Sequence, residues 1–177
     1  DIELPENHLV WLLASESRIG DLSWIKPGKV AWDWWNNWGV TGVDFEVGIN
    51  TATYKHYIDF ASANGIEYVI LDEGWSPSRD GDIMKVIPEI DLEELVRYGK
   101  ERKVDLILWA VAFPLDKKLE EACKYYSAMG IKGFKVDFMD RDDQDVVELN
   151  YRIAEVAAKY KMIINFHGMY KPAGLNR

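Results

Sequence analysis

Gly133-Phe134-Lys135-Val136-Asp137-Phe138-Met139-Asp140-Arg141-Asp142 is the stretch whose reading decides the fold. A short apolar run ends in a carboxylate, and further carboxylates follow at once. A parallel β/α sheet presents its chemistry in this way. Strand interiors are fixed by packing, while their C-terminal tips open onto the loops that hold a ligand. A carboxylate at such a tip keeps much of its solvation and is aimed by a rigid backbone. Asp137 is therefore the first candidate for a catalytic group.

The same alternation extends outward from this strand, Lys132 to Phe138. Before it, Asp116 to Met129 reads as a helix with Leu119, Cys123 and Tyr126 on one face, closed by Gly130. After it, Gln144 to Lys159 reads as a helix whose Val147, Tyr151, Ala154 and Ala158 share a face. Lys161 to Phe166 is the next strand, with His167-Gly168 at its tip. Further upstream, Val104 to Phe113 and Glu67 to Leu71 are strands, and Asp72-Glu73-Gly74-Trp75 follows the latter.

A helix is expected from Thr51 or Thr53 to Asn64, with Tyr54, Tyr57, Ile58 and Ala61 inward and Asn64-Gly65 ending it. Another should run from an Asp91 cap to about Arg102, with Glu94 completing a capping box. Ser76 to Pro88 reads as an excursion loop. Val30 to Trp35 reads as the first sheet strand, with minor strands at His8 to Ala14 and Val43 to Val47.

Five β/α units at a spacing of roughly 30 residues predict an α/β fold with right-handed crossovers. The strands are continuous apolar runs, as strands covered on both faces should be. A closed (β/α)8 TIM barrel needs about 250 residues, and this chain has 177. The expectation is the first five units of such a barrel, and a complete five-stranded open sheet is the alternative.

Composition removes several functions. An apolar fraction of 48% supports a packed core rather than disorder. A net charge of -9 leaves no basic face for a nucleic-acid backbone. No apolar run reaches the ~18 residues of a membrane span. Asp1 to Pro5 lacks the basic region of a signal peptide, which fits a mature or trimmed N-terminus. Cys123, the single cysteine, excludes an intrachain disulfide and a thiolate metal cluster, and its helical setting reads as a buried thiol. There is no HExxH, no Gly-rich phosphate cradle and no serine elbow.

The strand tips bring together Trp32, Asp33, Trp34 and Trp35; Asp72, Glu73 and Trp75; Trp109; Lys135, Asp137 and Asp140; and Asn165 and His167. Such a rim suits a neutral polyhydroxylated ligand. Carboxylates and lysine bond hydroxyls, and indoles cover the apolar face of a sugar ring. Lys135 and Asp137 alternate to the same side of their strand. A cation beside a carboxylate favours its ionised form, which a nucleophile at an anomeric carbon requires. An ordinary Lys–Asp pair at a strand end fits the spacing equally well. Asp137 is the catalytic candidate; Trp32, Asp33, Asp72, Glu73, Trp75, Trp109, Lys135 and His167 are the substrate-binding candidates. No metal ligands are assigned.

Four segments carry a family resemblance: Ser23 to Trp35, Tyr54 to Ala61, Glu67 to Trp75 and Gly133 to Phe138. Together they resemble the catalytic barrel of glycoside hydrolase family 97. That resemblance implies a (β/α)8 barrel between an N-terminal β-sandwich and a small C-terminal β-domain. Residues 1–23 would then lead in from the sandwich, and residues 24–177 would be part of the barrel. It also implies calcium for the parent enzyme, an oligosaccharide or α-galactoside substrate, and a periplasmic or secreted bacterial protein.

The family has retaining α-galactosidases, with an Asp nucleophile at the fourth strand tip, and inverting α-glucosidases, with a Glu base just after a His at the fifth. Asp137 matches the first pattern, and Gly168 after His167 departs from the second. The resemblance thus implies the retaining branch, with the general acid beyond Arg177. A non-catalytic carbohydrate-binding module and an inverting α-glucosidase are the alternatives. A barrel enzyme for phosphorylated metabolites is disfavoured by the missing phosphate loop.

Overall fold

A computed structural model describes residues 16–34, 37–77 and 81–170 of the chain. The expected strand at 8–14 lies outside them. Five strands form one sheet in the order β1-β2-β3-β4-β5: β1 Val30–Trp32, β2 Tyr68–Leu71, β3 Asp105–Val111, β4 Gly133–Asp137 and β5 Ile163–Phe166. Every neighbouring pair is parallel. The helices are α1 Thr51–Ala63, α2 Leu92–Glu101, α3 Ala112–Asp116, α4 Leu119–Met129 and α5 Gln144–Lys159. The α/β architecture is as expected. The sheet is open, with β1 and β5 at its edges, and the described strands do not close a ring.

Strand alternation sorts the residues into two faces. Val69, Leu71, Leu106, Leu108, Phe134 and Val136 belong to one large core with Tyr54, Ile58, Leu95, Tyr126 and Ile153. Tyr68, Ile70 and Ile107 form a smaller cluster on the opposite face, joined by Trp32 and Ile163. A wide cavity of about 660 Å³ opens over that face and round β5, between Trp24, Ile25, Tyr68, Ile107, Tyr151 and Phe166. Each Leu or Ile shut into the main core contributes roughly 1.5–3 kcal/mol.

Local differences from expectation have identifiable causes. The first strand stops at Trp32 instead of Trp35, because Asp33 is captured by the core and the chain turns with Asn37 N bonding Trp34 O at 3.0 Å. Residues 43–47 form bends rather than a strand. Asn50, not Thr51 or Thr53, caps α1 by accepting from Thr53 N at 2.9 Å. Thr51 Oγ1 instead donates to Glu89 O, and Thr53 Oγ1 accepts from Gly48 N.

Asp91 caps α2 as expected, accepting from Glu94 N at 2.9 Å. The reciprocal half of the box does not form. Glu94 turns to Lys55 and Arg97, and Asp91 N donates to Thr51 Oγ1. The helix expected over 116–129 divides, since Ala112–Asp116 is already helical and a break at 117–118 precedes α4. Helix α5 has the expected bounds, but Val146, Leu149, Asn150, Ile153 and Ala157 face the core in place of Val147, Tyr151, Ala154 and Ala158. Two apolar stripes compete on this helix. The one with Leu149 and Ile153 removes more apolar area from water than the one with two alanines.

Candidate active site

The carboxyl ends of β1 to β5 frame a cavity of about 530 Å³ lined by Trp32, Trp34, Asp72, Glu73, Trp109, Lys135, Asp137, Phe138, Asp140, His167 and Gly168. Lys135 and Asp137 lie on the inward side of β4, two residues apart. The ladder sets Lys135 beside Trp109 on one flank and Asn165 on the other. Asp72 follows the last residue of β2, and Trp32 is the last residue of β1.

Lys135 is the hub. Its side chain is 4% exposed, and its Nζ lies 2.8 Å from Asp72 Oδ2 and 3.6 Å from Asp137 Oδ2. The same ammonium sits 4.2 Å from the centre of the Trp32 ring, a favourable cation–π placement. Asp72 Oδ2 also accepts from Trp32 Nε1, and Asp72 Oδ1 accepts from Glu73 N at 2.7 Å. This is a buried cation shared by two carboxylates, with further donors on their other lone pairs. Such satisfaction is what makes charges tolerable in a low dielectric.

Asp137 is held on both oxygens. Oδ1 accepts from Phe138 N at 2.9 Å. Oδ2 accepts from Trp109 Nε1 at 3.2 Å and lies 3.2 Å from His167 Nδ1. Phe138 has a φ of 58°, the left-handed region that L side chains rarely adopt. That conformation turns the chain sharply away just beyond the strand tip. The His167 side chain is half exposed, and its amide bonds Val136 O at 2.7 Å, so β5 delivers the imidazole beside the tip of β4.

Two of the expected ligand-contact residues lie elsewhere. Asp33 is fully buried on the core side of β1, because alternation turns it away from Trp32. Its Oδ2 accepts from Tyr54 Oη at 2.7 Å and Trp38 Nε1 at 2.6 Å, and its Oδ1 accepts from Asp72 N at 3.4 Å. Burial pushes the Asp33 carboxyl above the usual range, the hydrogen bond from Tyr54 opposes this, and the charge of Asp72 adds to it. Burial and the Asp33 charge together push the Tyr54 hydroxyl well up. Asp33 thus braces the backbone of Asp72 from behind.

Trp75 is likewise fully buried, packed edge-on against Tyr126, with Nε1 donating to Trp109 O at 2.9 Å. It supports β3 rather than facing the cavity. Trp32, Asp72, Glu73, Trp109, Lys135, Asp137 and His167 all line the cavity. Asn165 faces the wider opening over the sheet instead.

Trp34 and Asp140, placed at the strand tips by the sequence without a substrate-binding role, line the cavity as well, together with Phe138 and Gly168, which the sequence did not assign to it. Trp34 is half exposed and stacked on Trp32, with ring centres 5.7 Å apart and planes 16° from parallel. The Trp-rich tip signalled its place on the rim but not its stacking on Trp32. Nothing in the sequence signals the left-handed Phe138. Among the described residues, no group of three His, Cys, Asp or Glu side chains converges as a metal site would require.

The fold and cavity define a class. This is an α/β protein whose candidate site lies at the carboxyl ends of parallel strands, where an oriented carboxylate, a buried cation and indole faces line one cavity. The chain belongs to glycoside hydrolase family 97, whose model matches residues 32–177. It is 59% identical over 177 residues to a retaining alpha-galactosidase of Bacteroides thetaiotaomicron, covering all of this chain and 27% of that protein. A family 97 glycoside hydrolase of Pseudoalteromonas sp. strain K8, solved in complex with acarbose, superposes with a TM-score of 0.80 at 27% identity, over 96% of this chain and 30% of that one. A beta-arabinopyranosidase structure follows at a TM-score of 0.72 and 25% identity, over 96% of this chain and 27% of that one. The chain spans about a quarter of the length of the curated relatives it matches.

Proposed function

We propose that this chain forms part of a retaining glycosidase acting on terminal α-galactosides, with Asp137 as its nucleophile. The observation that carries the reading is the setting of Asp137: a carboxylate at a strand tip, on the cavity wall, with donors on both oxygens and Lys135 at 3.6 Å. The 59% identity to a retaining alpha-galactosidase supports the substrate class.

In this mechanism one oxygen of Asp137 forms a bond to the anomeric carbon as the C1–O bond to the leaving group breaks. The leaving oxygen takes a proton from an acid supplied by the longer polypeptide. Water then attacks C1, gives its proton to the base left by that acid, and frees Asp137 and the sugar with net retention. Asp72, Glu73 and Lys135 bind sugar hydroxyls, His167 and Trp109 hold the nucleophile, and Trp32 offers a ring face. The inverting alternative needs a base at another position, and the residue after His167 is Gly168, which has no side chain to supply one.

The five parallel strands supply the first units of a (β/α)8 barrel in this proposal, residues 24–177, with residues 1–23 leading in from a preceding β-sandwich. Supporting this are the sequential strand order, the two edge strands and the apolar inner face of Tyr68, Ile70 and Ile107. Calcium is proposed for the parent protein alone. The described residues of this chain do not gather the carboxylates a calcium site needs, so its ligands would come from other segments. A periplasmic or secreted location is proposed with the family.

The test is Asp137→Gly in the full-length protein. Turnover of an aryl α-galactoside should fall by at least about 10³-fold, and azide should restore it with β-galactosyl azide as product. Turnover within about tenfold of the parent would reject the nucleophile. Asp137→Asn should keep sugar binding and lose turnover, whereas a parent that binds the sugar without turning it over would be a binding module instead.

A further inference from the structure

Gly168 has φ +67°, and a Cβ built on it would stand 2.6 Å from Asp137 Oδ1 and 3.2 Å from Phe138 N. The first distance is well inside van der Waals contact, and the atom it meets is the carboxylate itself. The approach is dictated by the sheet. His167 N bonds Val136 O at 2.7 Å, so the chain leaving β5 passes directly over the tip of β4. On the other side, the Phe138 amide donates to the same oxygen at 2.9 Å, and the chain turns away after it in a left-handed conformation. Oδ1 is therefore enclosed between two backbone segments, and Oδ2 is left with Trp109, His167 and Lys135.

We propose that Gly168 is a positioning residue for Asp137: its missing side chain is the space in which the carboxylate holds its working orientation. This rests on the reading of Asp137 as nucleophile. With any side chain at 168, the Asp137 carboxylate must rotate. Rotation gives up the Phe138 amide and shifts Oδ2 from the indole and imidazole that aim it. A side chain at 168 and an ordered carboxylate at 137 thus compete for one volume. Displacement of a reacting atom by about 1 Å costs on the order of 10²-fold in rate.

The experiment places Gly168→Ala in the full-length protein and in its Asp137→Gly variant. In the parent background, kcat/KM on an aryl α-galactoside should fall at least about 100-fold, while inhibition by galactose changes less than about threefold. In the Asp137→Gly background supplied with azide, the same substitution should cost less than about fivefold, because the oxygen it displaces is gone. A methyl at 168 that leaves parent turnover within about fivefold overturns the inference, as do equal losses in both backgrounds, which would place the damage in the backbone at φ +67°. If Gly168→Ala does not fold, recovery of folding in the double variant supports the contact, and failure there overturns it. Absence of azide rescue in Asp137→Gly itself defeats the nucleophile reading, a separate result.

Discussion

Replacing Lys135 by methionine removes the cation and keeps most of the side chain's length. In a medium of effective dielectric about 20, unit charges attract by about 6 kcal/mol at the 2.8 Å of Asp72 and about 5 kcal/mol at the 3.6 Å of Asp137. Burying three charges costs several kcal/mol per ion, so the net contribution of the intact cluster is small. Taking out one partner is different. The Asp72 side chain is 3% exposed and would keep its desolvation cost without the attraction that offsets it. The expected loss for Lys135→Met is about 3–5 kcal/mol. Asp72→Asn on top of it should return at least about 2 kcal/mol, since a neutral amide can stay buried beside Trp32. The assay is urea unfolding of the full-length protein, followed by circular dichroism for the parent, both single variants and the double. A loss below about 1 kcal/mol for Lys135→Met, or a second substitution that adds to the damage, would refute the shared-cation account.

Two further outcomes follow from buried titratable groups outside the cavity. Burial raises the Asp33 carboxyl above its unfolded value, so the stability it contributes is complete below the unfolded pKa and is lost as pH rises through the folded one. Asp33→Asn should therefore show its largest deficit against the parent near pH 4 and a smaller one at neutral pH, in urea unfolding at both; a deficit that grows with pH would contradict the linkage. Cys123 is fully buried and its thiol is pushed up to about 12, chiefly by burial. It should resist an aromatic disulfide reagent at pH 8 in the native protein and react once urea unfolds it, as peptide mass mapping at Cys123 would show; labelling of the folded protein within minutes would contradict its burial.

The helices were readable because their signals are local. Tyr54, Tyr57, Ile58 and Ala61 recur at helical spacing and all are buried in α1. Asp91 stands in front of α2 and caps it. The α5 face was misread because two stripes on one helix satisfy the same spacing, and the choice between them depends on what packs opposite. The site was readable in part for a similar reason. Alternation along one strand places Lys135 and Asp137 together whatever else the chain does. It does not show that Asp33 points backwards, since its partners Trp38 and Tyr54 lie 5 and 21 residues on.

Residue order was enough to establish parallel β/α units, the carboxyl-end placement of Asp72, Lys135 and Asp137, and the family to which they point. The first two follow from periodicity and from groups only a few bonds apart, and the family from the resemblance of whole motifs. Three-dimensional packing settled the remainder. It sent Asp33 and Trp75 into supporting roles, joined Asp72 to Asp137 through one buried ammonium, and laid Gly168 against the carboxylate of a different strand. Those relations depend on the register of strands distant in sequence, and a shift of one residue would turn every side chain concerned to the other face.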